Sequence, residues 1–384
     1  MAETGIEWVK NPDGSQGQTW NPVAGCSVVS PGCTNCYAMR MAARLEAMGQ
    51  DRYRGLTKPS KAGAVWSGEI RLVEDALTLP LRRRKATTWF VNSMSDLFHE
   101  NVPDAWIDRV FAVMALCPQH VFQVLTKRSA RMRDYCVRKD ERGRHHSMTD
   151  AASLAATGRC NTPALDLRRW PLPNVWLGVS AEDQRRADER IPHLLATPAA
   201  IRWVSAEPLL GAIDFLSIAW PGLSGHRVDV LRKGYWTRAD AGSPFGLSAE
   251  AGEPKGFFTN HSDMPARLDW IVAGGESGPG ARPMHPDWAR RIRDACAAAG
   301  VAFHFKQHGA WTVALDREAQ DPDWRADYTH RLNDSRPGFA WLNLDGGRGF
   351  HGERFHVMRR VGKAAAGRLL DGVMHDGMPE VRHG

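Results

Sequence analysis

Six times along the chain, a short apolar run ends in small or polar residues and gives way to a helix-like stretch. The runs are TTWFVNSMSD (87–96), HVFQVLTKRS (120–129), NVWLGVSAED (174–183), IRWVSAEPLL (201–210), LDWIVAGGES (268–277) and VAFHFKQHGA (301–310). Each is rich in β-branched or aromatic residues without strict alternation, which is how a strand buried on both faces reads. Two intervening segments carry apolar residues at helical spacing. Asp104 to Leu116 has Trp106, Ile107, Val110, Phe111 and Met114; Pro286 to Ala299 has Trp288, Ile292 and Cys296. Strands alternating with helices specify a parallel sheet with right-handed crossovers. A seventh strand is expected between Glu7 and Trp20.

The polar residues cluster where these strands end: Asn92, Ser93, Ser95 and Asp96; Thr126 and Lys127; Ser180 and Glu182; Ser205 and Glu207; Gly274 to Ser277; Lys306 and Gln307. A barrel brings such ends to one face, where sites form. The expected class is therefore α/β, a (β/α) barrel or partial TIM-like barrel. One barrel-like domain over residues 1–384 is expected, with insertions at about 133–173, 216–266 and 312–345, and a last helix from Lys363 to about Leu370, stopped by Gly372.

A chain of 384 residues with fifteen tryptophans can bury a sizeable core, which excludes whole-chain disorder. Seven cysteines, an odd number, with no apolar stretch near the N-terminus, do not read as a secreted disulfide framework. No run approaches eighteen apolar residues, so no membrane span is expected. The expected compartment is the reducing cytoplasm, where clustered cysteines point to metal or redox chemistry.

Three of the seven fall in NPVAGCSVVSPGCTNCYAMR (21–40), as Cys26, Cys33 and Cys36. Three thiolates on a Gly/Pro-containing loop fit a 4Fe–4S cluster with one iron left open, because a structural zinc site needs a fourth ligand. No cysteine or histidine within twenty residues supplies one. Zinc with a distant fourth ligand, and incidental buried thiols, are the alternatives. Cys117 and Cys296 read as small core residues. Cys136 and Cys160 form a second zinc alternative with His145 and His146.

The loop resembles the cluster loop of radical S-adenosylmethionine enzymes of the spore photoproduct lyase-like branch, matching at Asn21, Gly25, Tyr37, Ala38 and Arg40. Its first spacing is three residues longer than that superfamily's usual one. FVNSMSDLFHE, FQVLTKR, VWLGVS, VSAEPLLG, GGESGPGARPMHPDW and FKQHG, in this order, resemble the phage-associated three-cysteine-motif protein family. The resemblance implies a 4Fe–4S cluster on Cys26, Cys33 and Cys36 and S-adenosylmethionine as cofactor. It also implies reductive cleavage to a 5′-deoxyadenosyl radical and a flavodoxin- or ferredoxin-type electron donor. Lys127 would meet the methionyl carboxylate, and Ser95, Asp96, Ser180 and Glu182 the amine or ribose. Tyr37, Asn92, Glu207 and Glu276 complete the expected cofactor-binding set. Glu207 has a second reading, as an ion-pair partner of Arg202 or Lys127, and Arg282 and His285 read as phosphate contacts or helix caps.

DNA or another nucleic acid is an expected substrate or partner. The grounds are the LRRRK run at Leu81 to Lys85 and the basic series Arg128, Arg131, Arg133, Arg138, Lys139, Arg142 and Arg144, on a chain of net charge +7. Two rivals stay open. One is a non-enzymatic zinc- or cluster-stabilised barrel that binds DNA or a phage protein. The other is a hydrolase using Asp96, Glu182, Glu207 and Glu276 around a divalent metal.

Overall fold

The computed structural model describes residues 4–61, 63–140, 170–221, 226–238, 256–260, 266–318, 337–346 and 354–380. Seven strands make one sheet: β1 (Gln18–Trp20), β2 (Thr88–Val91), β3 (Val121–Thr126), β4 (Val175–Ser180), β5 (Ile201–Ala206), β6 (Trp270–Gly274) and β7 (Ala302–Gln307). Their spatial order is their chain order, and the sheet is parallel throughout and curled into a partial barrel. All seven coincide with the runs read from the sequence. β2, β4 and β6 are buried at every position, which is why they show no alternation.

The two helices expected between strands form with the expected bounds. In α2 (Asp104–Leu116), Ile107, Val110, Phe111 and Met114 are buried. In α5 (Pro286–Ala299), Pro286 occupies the first turn, His285 caps it, and Gly300 closes it in a left-handed conformation, φ 64°. α1 (Tyr37–Ala47) follows the cysteine loop directly, and α4 (Gln184–Leu195) follows β4.

Residues 133–140, expected to begin an insertion, instead continue α3 (Ser129–Asp140), which buries Met132, Tyr135 and Cys136. The 216–266 and 312–345 segments carry antiparallel structure. The first contributes strands Ile218–Ala219, His226–Asp229, Gly234–Arg238 and Gly256–Asn260. The second contributes Trp311–Glu318 and Phe339–Asn343, which flank Arg354–Arg360. The terminal helix is shorter than expected, Lys363–Ala366, because Gly367 turns the chain at φ 72°.

The chain groups into two compact units. The first comprises residues 1–179, 193–203 and 381–384; the second comprises 180–192 and 204–380. In the first, the rings of Trp8 and Trp203 meet edge to face at 5.0 Å, and a methyl group on Gly178 would lie 2.4 Å from Trp203. In the second, Trp270 and Trp288 are fully buried and anchor their indole N–H groups on the carbonyls of Gly377 and Leu344. Each buried tryptophan removes roughly 200 Å² from water, about 5 kcal/mol before entropy is counted. No helix among the described residues is long and apolar enough to cross a membrane.

Candidate functional site

The cysteine loop is held by the ends of β1 and β2. The Asn21 carboxamide oxygen accepts from the Ser93 hydroxyl and the Met94 amide, both at 3.1 Å. Asn92, in the left-handed region at φ 60°, accepts from the Val23 amide at 3.4 Å. The Ser95 hydroxyl donates to the Val23 carbonyl at 2.7 Å. Gly25 sits at φ 94°, where a methyl group would lie 2.1 Å from the Glu69 carbonyl oxygen, so only glycine fits.

Cys26 follows that glycine. Cys33 closes a 3₁₀ turn, Pro31–Cys33, and Cys36 is the N-cap of α1. All three are partly buried, and none is in a disulfide. Burial pushes the Cys26 thiol up to about 12, reinforced by the Asp96 carboxylate and opposed by Arg128. Burial also raises Cys36, against the pull of the Met39 and Ala38 amides at the start of α1 and of the Lys127 ammonium. Cys33 acts electrostatically on both other thiols. Among the described residues, the one trio of metal-ligand atoms within 4.8 Å of each other is His285, Asp287 and His356.

Arg128 organises the first unit's polar cluster. Its Nη1 donates to Cys26 Sγ at 3.5 Å and to Asp96 Oδ2 at 3.1 Å. Nη2 donates to the Ser27 hydroxyl at 2.7 Å, and Nε to Glu100 at 3.2 Å. His99 joins through Nε2, 2.9 Å from Ser27 Oγ, while its Nδ1 accepts from the Asn101 amide. That acceptor role leaves the neutral ring's proton on Nε2, which donates to Ser27. Burial, with Arg128 behind it, lowers the His99 pKa and keeps the ring neutral.

Several residues expected to touch a ligand already have partners within the fold. Asp96 already accepts four hydrogen bonds, from the Phe98 and Lys127 amides, the Thr126 hydroxyl and Arg128, so it is a structural carboxylate. Ser95 is a loop anchor. Tyr37 is 55% exposed and donates to the Ser93 carbonyl at 2.7 Å, bracing the rim. The basic series is largely paired inside the fold. Arg131 bonds Val102 and Asp104, Arg133 bonds Asp134 and His193, and Arg138 bonds Asp134. In the LRRRK run, Lys85 pairs with Asp13 at 3.0 Å. Cys136 is buried in α3, whereas Cys160, His145, His146, Arg142 and Arg144 lie outside the described residues.

Ser180, Glu182, Glu207 and Glu276 belong to the second unit. Arg190 Nη1 donates to the Ser180 carbonyl at 2.8 Å and to Glu182 at 3.1 Å, and the Glu182 carboxylate is fully buried. Glu207 pairs with Lys306 at 2.7 Å rather than with Arg202 or Lys127; Arg202 donates to the Thr197 carbonyl. Arg282 grips both oxygens of Glu276, at 2.6 and 2.9 Å. His285 caps α5 by accepting from the Asp287 amide at 3.2 Å. Each of these three acids is paired with a cation of its own within the unit.

Sequence reasoning missed Arg128 as a partner of cysteine, taking it for a surface charge, and missed His99. The signal was local: Thr126 and Arg128 flank Lys127 at the end of a buried strand. No curated protein and no solved structure matches the chain. The family model described as protein of unknown function DUF5131 matches residues 3–379, so the chain belongs to the DUF5131 family.

Proposed function

We propose that Cys26, Cys33 and Cys36 hold a 4Fe–4S cluster, and that the protein is an enzyme of the radical S-adenosylmethionine type. What supports the reading is a loop of three cysteines anchored on two strand ends, with a buried arginine donating to the Cys26 sulfur. The chemistry such a cluster supplies is one-electron reductive cleavage of S-adenosylmethionine to a 5′-deoxyadenosyl radical.

The chain's own residues would do the rest. Arg128 orients Cys26 and donates to its sulfur, favouring the thiolate. Cys36 gains from the first amides of α1. Lys127, whose ammonium acts on Cys36, would meet the carboxylate of the methionyl tail. Asn92, whose Nδ2 has no hydrogen-bond partner among the described residues, is the best remaining donor for the nucleoside. An electron donor of flavodoxin or ferredoxin type belongs to this reading. Resemblance to phage-associated proteins makes DNA the first substrate class to test. Exposed Arg82 and Arg84 would then meet phosphate.

The test is anaerobic reconstitution of the full chain, followed by iron and sulfide analysis and a search for 5′-deoxyadenosine after reduction. Iron and sulfide near four per chain are expected. Nucleoside should be released by the wild type and not by Cys33→Ala. One zinc per chain would instead support the metal-stabilised binding module. A full cluster with no nucleoside release would overturn the enzymatic reading.

A further inference from the structure

A second set of ligand-type side chains meets in the second unit. His285 caps α5, Asp287 lies in its first turn, and His356 comes from the central strand of the three-stranded sheet, Arg354–Arg360. One ligand atom from each lies within 4.8 Å of the other two. The two imidazole rings stand 4.2 Å apart between centroids, tilted by 40°. His285 and His356 are 0% and 1% exposed, and Asp287 9%.

We propose that His285, Asp287 and His356 bind a divalent first-row transition-metal ion of the zinc type, clasping the start of α5 to the antiparallel sheet. Two imidazoles and one carboxylate are the donor set such ions prefer over calcium or magnesium. Asp287 supplies negative charge against the ion's two positive charges. Arg290 donates to Asp287 Oδ1 at 2.6 Å and is itself balanced by Asp371 at 2.7 Å, so the carboxylate is oriented by a guanidinium whose charge is already answered.

The fold presets the arrangement. His356 is fixed in its ladder opposite Leu342 and Asp316, and the Trp288 indole donates to the Leu344 carbonyl at 2.6 Å, pinning the first turn of α5 near the sheet. His285 Nδ1 accepts the Asp287 amide, so an ion bound at Nε2 would move the ring proton to Nδ1 at the cost of that cap hydrogen bond. This site is independent of the cysteine loop and of the reading built on it.

The test uses the full-length chain with Cys26, Cys33 and Cys36 all changed to alanine, so that loop thiolates do not compete. Cobalt(II) is loaded, excess is removed, and bound metal and visible absorption are measured, with zinc(II) as displacing ion. About one cobalt per chain is expected, with ligand-field bands and no thiolate charge-transfer band. His356→Gln should weaken binding by about 100-fold or more, and the near-isosteric Asp287→Asn by about 10-fold, with far-ultraviolet circular dichroism checking the fold. The proposal is overturned if the folded triple variant takes up no cobalt. It is equally overturned if uptake carries a thiolate band, or is unchanged in both variants.

Discussion

The polar cluster around Cys26 and the acids at the strand ends of the second unit look alike in sequence and differ in chemistry. At the strand ends of the second unit three acids each have their own cation: Glu182 with Arg190, Glu207 with Lys306, Glu276 with Arg282. Near Cys26, the Asp96–Arg128 pair is equally buried, but the guanidinium has donors left over and gives one to sulfur. A charge at a strand end is therefore weak evidence of a ligand site. What distinguishes the first cluster is a cation shared between a carboxylate and a soft ligand.

A matched pair of substitutions can break this contrast. Arg128→Ala and Arg190→Ala each strand a buried carboxylate, and each should cost about 3–5 kcal/mol in urea unfolding. Only Arg128→Ala should also lower iron retention after anaerobic reconstitution, by about 10-fold. Equal iron loss in Arg190→Ala would erase the distinction.

A smaller effect sharpens the second unit's side. Asp229, fully buried, accepts from the Leu231 and Arg232 amides, and burial raises it from its ordinary 3.8 to about 6. The native state thus keeps a proton that the unfolded chain releases. The contribution of Asp229 to stability is therefore full below about pH 4, falls between about 4 and 6, and is flat above, a loss of about 3 kcal/mol. Asp229→Asn should remove that slope in denaturant midpoints taken from pH 4 to 8. A wild-type slope no steeper than the variant's would refute the assignment. The smallest effect belongs to the exposed rim: Tyr37→Phe removes one hydrogen bond and should cost about 1 kcal/mol or less in thermal unfolding.

The sheet was legible because strands buried on both faces leave unbroken apolar runs, as in VWLGVS and WIVAG. α2 and α5 were legible from their apolar stripes. α3 was not, although Met132, Tyr135 and Cys136 have helical spacing, because six charged residues in SARMRDYCVRKD outweigh them. The same blindness to burial turned Arg128 into a surface charge. The Glu182–Arg190 pair was readable in principle, two helical turns apart. Lys306 reaches Glu207 from a strand about a hundred residues later, and no local pattern announces it. His356 owes its meeting with His285 to sheet register, which short polar strands do not declare.

The loop that carries the three thiols leaves the ribosome long before the residues that hold it. Asn92 and Ser95 arrive about seventy positions after Val23, and Arg128 follows Cys26 by 102. A nascent chain therefore displays naked, unbraced cysteines until β3 and the arginine beyond it have emerged. Any inorganic guest delivered earlier would meet a floppy tether, so its insertion belongs after translation has passed that point.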